Sequence, residues 1–287
     1  MSLNISVVVP VFNEELNVDE LYRRLIAVLN DSVEFIFVDD GSTDTTWVRL
    51  EALAERDDRV RLIRFRRNFG QTAALSAGID YARGRIIVPM DGDLQNDPTD
   101  IPRLLAKMDE GYDVVSGWRL HRKDPFHRRL PSVIANRLIS WISGVSLHDY
   151  GCSLKAYRRD VLTDVRLYGE MHRFVPIYAS WQGGRVAELP VEHHARTLGK
   201  SNYGMERTLK VVLDLIVVKF LASYSTKPIY VFGGFGIGSF LLAGFAFLLM
   251  LYFKFWGGKS FVQTPLPMLV VMLLLVDRKS TRLNSSH

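Results

Sequence analysis

The chain is predicted to be an α/β domain built on a mostly parallel sheet, followed by amphipathic and transmembrane helices. Three observations predict this. Short β-branched or apolar runs alternate with helix-like stretches between residues 5 and 117. The residues with chemical potential follow those runs and do not lie inside them. Late in the chain, Pro228 to Phe253 holds 26 residues without one charge.

The runs at 5–9 (ISVVV), 33–38 (VEFIFV), 60–64 (VRLIR), 85–89 (RIIVP) and 113–117 (DVVSG) read as strands, and another follows at 185–191. Between them, 15–30, 43–56, 71–82 and 101–109 read as helices. Strand–helix alternation of this kind gives a parallel sheet covered on both faces. Ligands bind such sheets at the carboxyl ends of the strands, so the residues after each strand carry the functional information.

From Met205 to Ser223 the pattern changes. Leu209, Val212, Leu213, Ile216 and Phe220 fall at helical spacing, while Arg207, Lys210, Asp214 and Lys219 take other faces. This is an amphipathic helix suited to a membrane interface, and the same pattern also fits a helix packed on the domain's own core. The uncharged stretch after it reaches roughly 39 Å as a helix and can cross a hydrocarbon core of roughly 30 Å with some tilt. Leu266 to Val276 is apolar too, but reaches only roughly 17 Å. The expected organisation is a globular domain at 1–204, an amphipathic helix at 205–226, a span at 227–254 and a truncated span at 265–276. The last eleven residues, DRKSTRLNSSH at 277–287, match one reading frame of a common sequencing adapter and are expected to be read-through. They hold three basic residues and one acid, so the net charge of +5 becomes +3 without them. The N-terminus lacks a basic n-region, so no signal peptide is expected. Cys152 is the single cysteine, which excludes an intramolecular disulfide and suits a cytosolic domain.

The first strand ends in Pro10-Val11-Phe12-Asn13-Glu14, without the glycines that let backbone amides approach a dinucleotide pyrophosphate. That weighs against a nicotinamide or flavin enzyme. The second ends in Asp39-Asp40-Gly41-Ser42-Thr43-Asp44. An aspartate there can accept from a base N–H or a ribose hydroxyl, although the same residues also suit a turn with a helix N-cap. The fourth ends in Asp91-Gly92-Asp93-Leu94-Gln95. Two carboxylates one residue apart can hold a hard divalent cation against a diphosphate.

In this order and spacing, P-V-F-N-E, V-D-D-G-S-T-D and D-G-D-L-Q resemble the family-2 glycosyltransferases of the GT-A fold. Arg67-Asn68-Phe69-Gly70-Gln71, Asp149-Tyr150-Gly151-Cys152, Ala156-Tyr157-Arg158-Arg159 and the C-terminal apolar segment narrow the resemblance. They are similar to the polyprenyl-phosphate glycosyltransferases, which include dolichyl-phosphate mannose synthase and bacterial undecaprenyl-phosphate transferases of the aminoarabinose and glucose type. The resemblance covers about residues 3–276, and its motifs specify the reaction class but not the sugar.

It implies that Pro10, Phe12, Glu14, Asp39 and Asp40 line the nucleotide-sugar pocket. Asp91, Asp93 and Gln95 would face Mg2+ or Mn2+, with Asp93 the foremost ligand and Asp149 near the reacting sugar. Arg119, Arg128 and Ser132 would hold the acceptor phosphate, in a loop where Arg119, Arg122, Lys123, Arg128 and Arg129 face one acid, Asp124. A basic loop of this kind can also be simply a solvated face. After the last soluble strand the family pattern is Arg-x-x-Gly-x-Ser-Lys-Tyr. Arg196, Gly199, Ser201 and Tyr203 fit it; the lysine position holds Asn202, and Lys200 stands two residues earlier as a substitute. His172, His193 and His194 read as structural.

The implied reaction is inverting transfer of a sugar from a nucleotide-sugar, with UDP expected, to undecaprenyl phosphate. The implied place is the inner membrane with the catalytic domain in the cytoplasm. No nucleic-acid partner is expected, and homo-oligomers are compatible with the sequence. A processive polysaccharide synthase would share the fold, but its Gln-x-x-Arg-Trp is interrupted here, where Gln182-Gly183-Gly184-Arg185 is followed by Val186. A non-catalytic nucleotide-sugar-binding protein is the other alternative, and the intact Asp91 and Asp93 weigh against it.

Overall fold

The computed structural model describes residues 4–29, 32–120, 136–137, 139–162, 171–194, 229–258 and 260–282. The chain forms two compact units, Met1–Val218 and Lys219–His287.

Among the described residues the first unit contains seven strands: β1 Ile5–Val11, β2 Val33–Asp39, β3 Val60–Arg64, β4 Ile86–Pro89, β5 Val114–Arg119, β6 Lys155–Arg158 and β7 Val186–Val191. They lie in the order β3-β2-β1-β4-β6-β5-β7. Every pairing is parallel except those of β6, which runs antiparallel between β4 and β5. The helices that pack on the sheet are α1 Val18–Val28, α2 Thr46–Ala54, α3 Gln71–Tyr81, α4 Ile101–Asp109 and α5 Val175–Trp181.

Side chains alternate across a strand, so a strand buried on both faces needs apolar residues at odd and even positions alike. β1 and β2 meet that demand. Val7 and Val9 of β1, with Phe35 and Phe37 of β2, join Leu21 and Leu25 of α1, Leu50 of α2 and Leu104 of α4 in one cluster. Val8, Ile36 and Val38 point the other way, to Ala74 and Leu75 of α3 and to Val175 and Ala179 of α5. A third cluster joins Ile139, Leu147 and Tyr150 to Phe174 and Ile177 beyond the sheet.

β6 departs from the sequence reading. Its four residues, Lys155-Ala156-Tyr157-Arg158, include two cations and show no apolar alternation. It forms because both neighbours offer backbone partners: Tyr157 lies opposite Ile87 of β4 and Val114 of β5. Tertiary pairing overrides a weak local preference here.

In the second unit, α6 spans Ile229–Phe255 and α7 spans Leu266–Arg282. Phe232–Phe255 is long and apolar enough to cross a membrane, whereas the apolar part of α7 is limited to Leu266–Leu275. Phe235, Phe240, Leu241, Phe245 and Leu248 of α6 are exposed, as lipid-facing residues would be. The α7 helix continues past Val276, through residues with no glycine or proline to stop it.

Candidate active site at the strand ends

The carboxyl ends of β1 and β2 are in register, with Pro10 beside Val38 and Val11 beside Asp39. The loops that follow them are laced together. Asn13 takes a left-handed backbone (φ 55°), which asparagine tolerates better than most residues. In that conformation its N–H donates to Ser42 Oγ at 2.9 Å, and its Oδ1 accepts from the Thr43 N–H at 2.9 Å. The Glu14 N–H donates to Thr46 Oγ1 at 2.9 Å. Phe12 stands 36% exposed at the rim.

Asp39 and Asp40 differ although they are adjacent. Asp40 Oδ1 accepts from the Phe69 N–H at 2.7 Å and Oδ2 from the Gly70 N–H at 2.8 Å. Burial pushes its carboxyl above the ordinary range, against the opposing pull of these two amides. Asp40 therefore braces the turn that starts α3. Gly41 completes this contact: a Cβ there would lie 2.6 Å from the Arg67 backbone carbon, and its φ is +75°. Asp39 is wholly buried, with Oδ1 accepting from the Ser42 N–H at 2.9 Å. Its Oδ2 lies 3.6 Å from Arg64 Nε and accepts no hydrogen bond among the described residues. An acceptor left this way is costly unless a ligand supplies the donor.

After β4, Asp91 Oδ1 accepts from Gln71 Nε2 at 2.6 Å, which ties the acidic loop to α3. Asp93 Oδ1 accepts from the Gln95 N–H at 3.2 Å, closing a tight turn around Leu94 (φ 60°). The Gln95 amide donates to the His194 carbonyl at 3.4 Å, and Asn96 bridges His193. His194 Nε2 meets Asp97 Oδ2 at 3.0 Å, and His172 Nδ1 meets Thr72 Oγ1 at 2.7 Å. The histidines thus hold loops together, and among the described residues no three His, Cys, Asp or Glu groups gather as a metal cluster.

A third group lies beyond β5. Arg119 clasps Asp149 at two points, Nε to Oδ2 at 2.7 Å and Nη2 to Oδ1 at 3.0 Å. Glu188 of β7 supports this turn by accepting from the His148 N–H at 2.9 Å and the Asp149 N–H at 3.1 Å. The His148 ring stacks on Trp118 at 4.3 Å. Lys155, at the start of β6, is buried and donates to the Tyr150 carbonyl at 3.1 Å. Its burial lowers its pKa to about 8. A cavity of about 20 Å³ is lined by Pro10, Gln71, Asp91, Lys155 and His172, so it lies where the end of β1, the start of α3, the loop after β4 and the start of β6 come together.

Of the expected residues, Pro10, Asp39 and Arg119 stand at the carboxyl ends of β1, β2 and β5; Phe12, Glu14, Asp40, Asp91, Asp93 and Gln95 lie in the loops after β1, β2 and β4, and Asp149 in the turn ahead of β6. Arg128, Ser132, Arg196, Lys200 and the 205–226 segment lie outside the described residues. Sequence reasoning gave no role to Glu188, Lys155 or Arg173, and quoted Gln71 only as part of a motif. The signal for Lys155 was a cation next to apolar residues that open a strand.

The sequence model for glycosyl transferase family 2 matches residues 6–166. The chain belongs to this family. A dodecaprenyl-phosphate galacturonate synthase of Rhizobium johnstonii is 47% identical over 288 residues, covering 96% of this chain and 83% of the relative. An undecaprenyl-phosphate 4-deoxy-4-formamido-L-arabinose transferase of Pseudomonas aeruginosa is 39% identical over 265 residues, covering 89% and 77%. A glucosyl-3-phosphoglycerate synthase from Mycobacterium tuberculosis, solved with Mn2+, UDP and glucosyl-3-phosphoglycerate, superposes with a TM-score of 0.60 at 20% identity. It covers 76% of this chain and 79% of that one. At that identity the likeness concerns the fold alone. The protein is a family-2 glycosyltransferase with a GT-A fold, and the strand-end loops are its candidate active site.

Proposed function

We propose that this glycosyltransferase moves a sugar from a UDP-sugar to the phosphate of a polyprenyl phosphate, undecaprenyl phosphate in a bacterial membrane, with inversion at the anomeric carbon. The observation that carries the reading is that the neighbouring parallel strands β2, β1 and β4 bring acidic residues to the same end of the sheet, Asp39 at the end of β2 and Asp91 after β4, while Arg119 at the end of β5 is paired with Asp149. The chain has relatives named as dodecaprenyl- and undecaprenyl-phosphate sugar transferases. Asp39 Oδ2 suits the N–H of a uracil ring, at a strand end beside the β1 end that leads into Phe12 and Glu14.

The loop after β4 fits a divalent cation. Asp91 keeps one oxygen outside its bond to Gln71, Asp93 follows two residues later, and Gln95 adds a neutral carbonyl. With no third acidic, cysteine or histidine ligand gathered among the described residues, diphosphate oxygens and water would complete the shell, as Mg2+ and Mn2+ commonly allow. A bound cation there offsets charge on the departing diphosphate.

In the transfer, an oxygen of the lipid phosphate forms a bond to the anomeric carbon. The bond from that carbon to the diphosphate oxygen breaks, and its electron pair leaves with UDP. A phosphate monoester has a second pKa of about 6 and is mostly dianionic at neutral pH. It therefore needs no general base, and the protein's task is to position the two anions and screen their charge. Arg119, held by Asp149, with Arg128 and Ser132, receives the acceptor phosphate. The α6 helix keeps the enzyme in the inner membrane, with the active site on the cytoplasmic side where nucleotide-sugars are made.

Turnover of labelled UDP-sugars, with and without undecaprenyl phosphate, tests the reading. Label is expected in the lipid fraction only when the lipid phosphate is present. Label in a polymer without lipid would point to a processive synthase, and no turnover of any donor to a non-catalytic protein.

A further inference from the structure

Two guanidinium groups converge on one point of the turn that joins Asp149 to β6. A Cβ built on Gly151 would lie 3.1 Å from Arg173 Nη1, 3.2 Å from Arg119 Nη2 and 3.4 Å from Asp149 Oδ1. Glycine leaves that space open, and any side chain would intrude on it. Arg119 is fixed by its two-point contact with Asp149, whose Oδ1 borders the same space. Arg173 comes from a different part of the chain, the 3-10 turn Met171–Arg173 ahead of α5. A third cation stands close by. Lys155 is 2% exposed, and its single hydrogen bond among the described residues is to the Tyr150 carbonyl, although an ammonium carries three donors. Burial lowers its pKa to about 8, with Asp149 opposing and Arg173 and Arg119 adding to the shift. It remains mostly protonated at neutral pH.

Asp149 lies against the same point and offsets part of this charge, but Arg119, Arg173 and Lys155 are three cations to its one carboxylate, an excess that an incoming oxyanion reduces further. The planar fork of arginine matches the oxygens of a phosphate or carboxylate. We propose that Arg173 and Arg119 form a two-arginine clamp over Gly151 that binds an oxyanion of a substrate, with Lys155 supplying buried positive charge behind it. This rests on the transferase reading above and adds Arg173, Gly151 and Lys155 to it. The shared chemistry is a tetrahedral or planar oxyanion, carried either by the lipid phosphate or by a carboxylate on the donor sugar.

The test measures binding of farnesyl phosphate, UDP-galacturonate and UDP to the full chain in detergent. Wild type is compared with Arg173→Gln, Arg173→Lys and Gly151→Ala. Losing a charge-assisted contact should weaken one oxyanion ligand by about ten- to a hundredfold in Arg173→Gln, with UDP unchanged and Arg173→Lys intermediate. Gly151→Ala keeps both arginines and only displaces their flexible ends, so it should weaken the same ligand without unfolding the domain. A loss confined to farnesyl phosphate identifies the lipid phosphate as the source. A loss for UDP-galacturonate but not for UDP identifies the sugar carboxylate. Unchanged affinity for both in Arg173→Gln overturns the clamp while leaving the transferase reading intact. A wild-type protein that binds farnesyl phosphate but not UDP would count against the donor reading, and the farnesyl phosphate arm would still decide the clamp.

Discussion

Asp149 and Arg119 act as one unit: the carboxylate is 2% exposed, the guanidinium 15%, and the two meet through both oxygens. The sequence suggests separate posts for them, one near the reacting sugar and one on the acceptor phosphate. The geometry makes each the other's support. Removing either partner of a buried pair strands a charge, which costs more than the pair contributes.

That coupling can be measured. Asp149→Asn and Arg119→Gln should each lower kcat/KM sharply, and the double variant should lose less than the two losses combined. A coupling of about 1 kcal/mol or more is expected for groups in direct contact. Strictly additive losses would show that the two residues work independently.

Asp93→Asn should reduce turnover by orders of magnitude while the thermal melt of the globular domain stays nearly unchanged, because Asp93 lies on a partly exposed loop. Removal of divalent cations with a chelator should have the same effect on wild type and almost none on the variant's residual rate. Full wild-type activity in chelator would exclude the assigned cation role.

The two neighbouring aspartates after β2 should respond differently. Asp40 holds two backbone amides, so Asp40→Ala should cost about 1–2 kcal/mol of stability by removing both charge-assisted bonds. Asp39→Ala should instead raise the donor KM, because one oxygen of Asp39 awaits a donor. Urea melts and donor titrations on both variants separate the effects. Equal stability losses with unchanged donor KM would mean that Asp39 is a second brace.

Much of this was legible in the sequence because β1 and β2 are buried on both faces and read as largely apolar runs. The ends of β2 and β4 are marked by carboxylates, Asp39 and Asp91, which break the apolar pattern of the strands. The antiparallel β6 was not legible, since Lys155 and Arg158 hide a strand whose pairing comes from its neighbours. The division of labour between Asp39 and Asp40 was hidden too, as both have the same side chain and only the amides of Phe69 and Gly70 distinguish them. Arg173 carries no local signal at all; its place beside Gly151 depends on chain folding over a long separation.

Lys155 predicts a pH signature. Its folded pKa of about 8 lies below the ordinary lysine value of 10.5. Between those values the unfolded chain binds more protons than the native one, so stability rises with pH across that window. Below about pH 8 both states are protonated, and the native state carries the whole burial penalty. The charged and titratable groups that face it are Arg119, Arg173, Asp149 and Cys152, whose thiol, pushed up to about 12 by burial, stays neutral across the window. Thermal melts from about pH 7.5 to about pH 10 should therefore show a rise in wild type that Lys155→Met abolishes. The same rise in both proteins would show that another group causes it.

The most direct measurement of the central claim is the identity of both products of one turnover. The purified chain, a UDP-sugar that it turns over and undecaprenyl phosphate are incubated with a divalent cation, and the lipid and nucleotide products are analysed by mass spectrometry. The account predicts a lipid that gains one sugar residue on its single phosphate, together with an equal amount of UDP. A lipid diphosphate-sugar released with UMP, or UDP formed without any glycosylated lipid, would contradict it.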